Sequence, residues 1–198
     1  MDRHPSPGRR VRCGTALLAV LAATAFTLRP ASVTARTAGA AGPPFTISSP
    51  DFRPGGPLSV RNEWNGGMGC HGGNVAPRLT WRGVPAGTRS FALTVVDPDA
   101  KVPGGFVHWV VYNIPGTWRV MFGNAPRGTT GGTSGFGARS YNGPCPPVGD
   151  RPHHYHFTLY ALDVATLGGP GLTRAALLRA MRGHILGVTE VVGTFQRR

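Results

Sequence analysis

The chain has 198 residues and a net charge of +13, with Lys101 the only lysine among 21 basic residues. That length suits one ordinary domain with its own core, and 30 glycines with 19 prolines exclude a long-helix protein in favour of a loop-rich β domain. The arginines are scattered, not gathered into a run with interleaved aromatics, so they read as a solvated basic surface and not as a specific nucleic-acid site.

Residues 1–40 read as a signal peptide and flexible N-terminal segment, and residues 41–198 as the domain. Arg3, Arg9, Arg10 and Arg12 form a basic start, and Ala16 to Leu28 is an uncharged apolar run too short to span a bilayer comfortably. Val33-Thr34-Ala35 and Ala38-Gly39-Ala40 offer small residues for cleavage. The alternative is an uncleaved anchor or a low-complexity tail. Cys13 precedes the apolar run, where a lipid-attachment cysteine would follow it, so no lipoprotein is expected. The expected location is secreted or on the envelope side of the cell.

Phe45 to Ser48 alternates and predicts a first strand, stopped by Ser49-Pro50. Leu58-Ser59-Val60 reads as a short second strand, and residues 62–78 as loop. Leu79-Thr80-Trp81 is a strand closed by the turn residues Gly83 to Gly87. Ser90 to Val96 is the clearest strand: Phe91, Leu93 and Val95 share a face, with Asp97 next in phase. Phe106 to Ile114 places His108 with Val110 and Tyr112 on one face, and Val107, Trp109 and Val111 on the other. Both faces are apolar, so this strand is expected at the centre, covered on both sides. Residues 123–143 carry seven glycines and read as a long functional loop. His153, Tyr155, Phe157 and Leu159 share one face of the strand from His153 to Leu162. Thr173 caps a helix running to about Gly183, and Thr189 to Phe195 is the last strand.

Polar, titratable residues therefore sit at the ends of apolar strands, beside prolines and glycines. Asp97-Pro98-Asp99-Ala100 leads to His108, and Gly143-Pro144-Cys145-Pro146-Pro147 leads to His153-His154-Tyr155. His108, His153 and the Tyr155 hydroxyl can donate to a phosphate, while Asp97 can orient a histidine or meet an ammonium. Each residue alone reads better as a satisfied structural group; the set reads as a pocket for an anionic head group. Zinc is a minor alternative: His108, His153, His154, His156, Cys70 and Cys145 match no paired-ligand spacing, and adjacent His153 and His154 point to opposite strand faces. A hydrolase lacks a Gly-x-Ser-x-Gly elbow, because Ser134 is followed by Gly135 and Phe136. Loss of Cys13 on export leaves Cys70 and Cys145, an even count that predicts a disulfide in an oxidising compartment; the alternative is two thiols too far apart to bond.

These motifs, together with Cys70 to Trp81 before them and Gly183 to Leu186 and Glu190 to Phe195 after them, resemble the phosphatidylethanolamine-binding protein family, also called Raf kinase inhibitor-like, in its bacterial branch. The resemblance spans residues 45–196. It implies a mainly β fold: a β-sandwich with Greek-key connections and a few peripheral helices. It also implies a small pocket for phosphate-type groups, lined by Asp97, His108, Pro144, His153 and Tyr155 with Asp99 nearby. Ala76 and His154 depart from the family's usual serine and arginine, and the aromatic lid of eukaryotic members has no counterpart. The expected function is non-enzymatic binding of a phosphorylated small molecule or phospholipid head group, with no cofactor and with peripheral membrane contact compatible. The alternative implied by the family is a secreted inhibitor of a kinase or protease, with an unknown protein partner.

Overall fold

The computed structural model describes residues 42–198. The signal-peptide reading and Cys13 lie outside the described residues.

Two antiparallel sheets form the body. β1 (Thr46–Ser48), β2 (Leu79–Arg82) and β5 (Val120–Met121) make a small sheet in the order β1-β2-β5. β3 (Ser90–Asp97), β4 (Phe106–Pro115), β6 (Thr130–Gly131), β7 (His153–Leu162) and β8 (Ile185–Phe195) make the larger one, in the order β6-β4-β3-β7-β8. β3 and β4 form a hairpin. The chain then visits both sheets before returning as β7 on the far side of β3, a Greek-key type of connection.

Period-2 patterning explains which face packs where. Phe91, Leu93 and Val95 of β3, with Trp109, Val111, Phe157 and Leu159, pack against Ile47, Leu79 and Trp81 of the small sheet. Ala92, Val110, Tyr112, Tyr160 and Leu162 face the other way, onto Leu167 and onto Leu177 and Met181 at the helix. All eight residues of β3 are buried, so β3, and not β4, is the middle strand. β4 is covered on both faces as its sequence predicts, but its outer neighbour is only the two-residue β6.

Three expectations shift. Leu58 to Val60 is not a strand: Val60–Asn62 is a 3-10 turn, and Ser59 donates from both its backbone N–H and its hydroxyl to the Asn62 side chain, at 3.0 Å each. This local bonding outcompetes a ladder, and only Pro57 keeps a bridge to Thr194. The α-helix α1 spans Arg174–Ala180, with the Thr173 hydroxyl accepting from the Ala176 N–H at 3.3 Å. It is the one α-helix among the described residues. Third, β4 carries irregularities against β3. Val95 pairs with Trp109 but Val96 pairs with Val107, so His108 is the extra residue of a bulge. The phase expected along β4 therefore breaks: Val107 joins the face of Val110 and Tyr112, and His108 turns towards Tyr155.

Candidate functional site

The site starts where β3 ends. Asp97 is 3 % exposed and uses its carboxylate to fold the turn that follows, Oδ1 accepting from the Asp99 N–H at 2.9 Å and the Ala100 N–H at 3.2 Å. Its Oδ2 accepts from Nδ1 of His153, the first residue of β7, at 2.7 Å. Both oxygens of the buried acid are thus satisfied by the protein. The chain returns to Phe106 through Gly105, whose φ of +79° suits glycine and whose absent Cβ would stand 2.7 Å from the Asp97 carbonyl.

His108 is also buried, and its Nδ1 lies 2.9 Å from the Asn142 carbonyl and 3.1 Å from that of Gly143. Carbonyls only accept, so Nδ1 carries the proton and Nε2 is the ring's remaining polar edge. Burial holds the His108 pKa below the usual histidine range, with the two carbonyls and Asp97 opposing that shift. Neutral His108 therefore offers an acceptor at Nε2.

Tyr155 packs its ring edge-on to His108, centroids 5.1 Å apart. Its hydroxyl is buried without a hydrogen-bond partner. Burial raises its pKa strongly and the neighbouring Asp97 charge adds to the rise, although the two groups do not reach hydrogen-bond geometry. Tyr155 thus stays a neutral phenol with a donor to spare.

These groups meet at a cavity of about 180 Å³. Asp97, His108, His153 and Tyr155 line it, as the motif order suggests. Pro144 does not: it is buried behind the wall, its carbonyl accepting from the Trp64 N–H at 3.0 Å, and the prolines at the surface of the cavity are Pro146 and Pro147. Asp99 also stands outside the lining. It accepts from Arg151 at 2.7 Å and from the backbone N–H and Nδ1 of His154 at 2.8 Å each, fastening the start of β7. The His154 hydrogen bond is the main reason that its pKa is lowered.

Sequence reasoning missed much of the rest of the wall, including Phe106, Phe136, Met68, Lys101 and Asp150. Phe106, Phe136 and His108 form an edge-to-face cluster, with Phe106 and Phe136 4.7 Å apart. Phe136 comes from the glycine-rich loop, where no periodicity marks it. Asp150 had a readable signal, an acid three residues before His153.

The outer wall is fastened by covalent and ionic ties. Cys70 and Cys145 form a disulfide, as their even count predicts. Beside it Arg197 donates to the carbonyls of Met68 and Pro146 at 3.2 Å each and of Gly69 at 2.6 Å, with Glu63 at 3.7 Å. Among the described residues no group of three or more His, Cys, Asp or Glu is arranged to hold a metal ion.

Residues 48–196 match the family described as phosphatidylethanolamine-binding protein. The chain is 38 % identical to YbcL of Escherichia coli over 155 residues, covering 74 % of this chain and 82 % of YbcL. It is 43 % identical over 166 residues to LppC of Mycobacterium tuberculosis, named as a lipoprotein, covering 83 % of this chain and 79 % of LppC. The crystal structure of YbcL, described as a member of the mammalian PEBP family, superposes with a TM-score of 0.73 at 34 % identity, covering 78 % of this chain and 99 % of YbcL. CT736 of Chlamydia trachomatis, described as a homologue of the same family, gives 0.70 at 32 % identity over 78 % of this chain and 98 % of that one. With its sandwich, its strand-end motifs and these matches over most of its length, the chain belongs to the phosphatidylethanolamine-binding protein family.

Proposed function

We propose that the chain is a non-catalytic binding protein for a phosphate-bearing small molecule or phospholipid head group, held in the cavity between β3, β4 and β7. The observation that carries this reading is the convergence of polar edges on one small cavity: His108 and His153 are positioned through Nδ1 and present Nε2, that of His153 met only by Asp150 at 3.5 Å, and the Tyr155 hydroxyl has no partner. Tyr155 offers a donor to a phosphate oxygen, and His153, whose Nδ1–H is given to Asp97, adds a second donor at Nε2 when its ring carries both protons. Neutral His108 accepts from a protonated phosphate oxygen, or donates once it is itself protonated. Either route takes up a proton on binding, so affinity rises as pH falls. The chain works outside the cytoplasm in this reading, supported by the basic and apolar start of the sequence, the disulfide, and a relative named as a lipoprotein. N-terminal sequencing from the native host should begin near Arg36 or Ala41; intact Met1 would overturn export with cleavage.

Calorimetric titration with phosphoethanolamine tests the site. His153→Asn keeps a donor for Asp97 but removes the Nε2 edge. It should weaken binding by about 1.5–3 kcal/mol, the range for a hydrogen bond to a charged group. His184→Ala, paired with Asp163 away from the cavity, should bind as wild type does. Affinity should be higher at about pH 6 than at about pH 8, on either side of an ordinary histidine pKa. Equal affinity in wild type and folded His153→Asn would place the ligand elsewhere.

A further inference from the structure

Asp97 and Asp150 both line the cavity, which is an unexpected wall for an anion. They differ in what they are free to do. Asp97 is 4 % exposed at its side chain and has both oxygens engaged by backbone N–H groups and His153. Asp150 is 26 % exposed, and its Oδ2 lies 3.5 Å from His153 Nε2 and 3.6 Å from the Lys101 ammonium. Those separations lie at or just beyond the limit of hydrogen bonding, so the carboxylate is loosely held between the Lys101 ammonium and the His153 ring. Its backbone, by contrast, is pinned: the Asp150 N–H donates to the Pro147 carbonyl at 3.3 Å, and Gln196 donates to the Asp150 carbonyl at 2.9 Å. Asp150 therefore sits where a phosphate oxygen would meet His153, on a backbone that does not have to move for its side chain to swing.

We propose that Asp150 is the selectivity residue of the cavity: its carboxylate competes with simple anions for His153 and pairs with the positive end of a zwitterionic ligand. The inference rests on the binding function proposed above. A bare phosphate ester must displace Asp150 from His153 and then lie beside its negative charge. The titratable and charged groups lining the cavity are Asp97, Asp150, Lys101, His108, His153 and Tyr155. Of these only Lys101 is a fixed cation, and its side chain is 83 % exposed, so it compensates weakly. A ligand that carries its own ammonium turns the same carboxylate from a repulsive partner into an attractive one. One acid thus disfavours the wrong ligand and favours the right one. The apolar rings of Phe106, Phe136 and Tyr155 accommodate the short carbon linker between phosphate and ammonium.

Ethyl phosphate and phosphoethanolamine share a skeleton and differ by the ammonium, so they isolate the effect. Both are titrated calorimetrically into wild type and Asp150→Asn, which preserves side-chain shape and the pinned backbone. Wild type should prefer phosphoethanolamine by about tenfold, the change expected from one charge pair made and one charge clash avoided. In Asp150→Asn, ethyl phosphate should tighten, phosphoethanolamine should not, and the ratio should fall towards one. A short-chain phosphatidylethanolamine run beside them tells a lipid from a soluble ligand, since both carry the same zwitterion and only the lipid adds acyl chains. An unchanged ratio in Asp150→Asn, with both ligands bound, overturns the role of Asp150 alone. Absence of binding by every ligand to both folded proteins overturns the binding function itself and this inference with it.

Discussion

His108 is the residue in which fold and function conflict most directly. Its ring is buried against Phe106, Phe136 and Tyr155, and burial lowers its pKa. In the unfolded chain the same ring takes up a proton near pH 6.5. Below that pH the unfolded state binds a proton that the folded state resists, so stability falls as pH drops towards the lowered folded value and rises again with pH through that window. An anion in the cavity favours the protonated ring and should return part of the loss. Urea midpoints measured from about pH 5 to about pH 7.5 should rise with pH in wild type, and rise less steeply in His108→Gln, which cannot titrate. Parallel slopes in the two proteins would mean that the folded ring takes up its proton as readily as a free one does. Asp99 works with the same sign and lower down: its lowered pKa supports the fold above the ordinary carboxylate range, and that contribution is lost as pH falls through and below that range.

At the scale of the element, what was legible followed what is periodic. β3, β4 and β7 alternate or run apolar, and their ends carry Asp97, His108, His153 and Tyr155, so the strands and four cavity residues could be read together. The capping of α1 by Thr173 was equally local. Illegible features depend on partners distant in sequence. The bulge that turns His108 out of phase is a mismatch between β3 and β4, invisible in either strand alone. Pro144 and Pro146 lie two residues apart in an irregular segment, and nothing in that spacing says which ring faces the cavity. Gly143 shows why the segment takes its path: an added Cβ there would fall 1.8 Å from the Asn62 carbonyl, and its N–H donates to the Asn74 side chain at 2.8 Å. Phe136 was missed because loops carry no period, whereas Asp150 was marked only by its place three residues before His153.

Across the whole molecule, the cavity has a floor made by the large sheet and an outer wall made by two irregular segments, around residues 62–78 and 142–150. Strand ladders hold the floor through backbone pairing from β4 to β8. The wall has no ladder. It is joined by the Cys70–Cys145 disulfide, by Arg197 reaching Met68, Gly69 and Pro146, and by the Trp64 N–H on the Pro144 carbonyl. The cysteines are 75 residues apart, so their bond restricts a long stretch of the unfolded chain and stabilises by about 4 to 5 kcal/mol through loop-closure entropy. Replacing both with serine should lower the unfolding free energy by about that amount while the strand signal in circular dichroism persists. The wall should loosen more than the floor, so hydrogen exchange should quicken first around Met68 and Pro146 and remain slow in β3 and β7. Phosphoethanolamine binding should weaken in parallel, because Met68, Cys145, Pro146 and Pro147 line the cavity. In a chain that begins after Ala35, thiol titration under denaturing, non-reducing conditions should find no free cysteine; two reactive thiols per chain, or a double-serine variant with an unaltered urea midpoint, would refute this account of the wall.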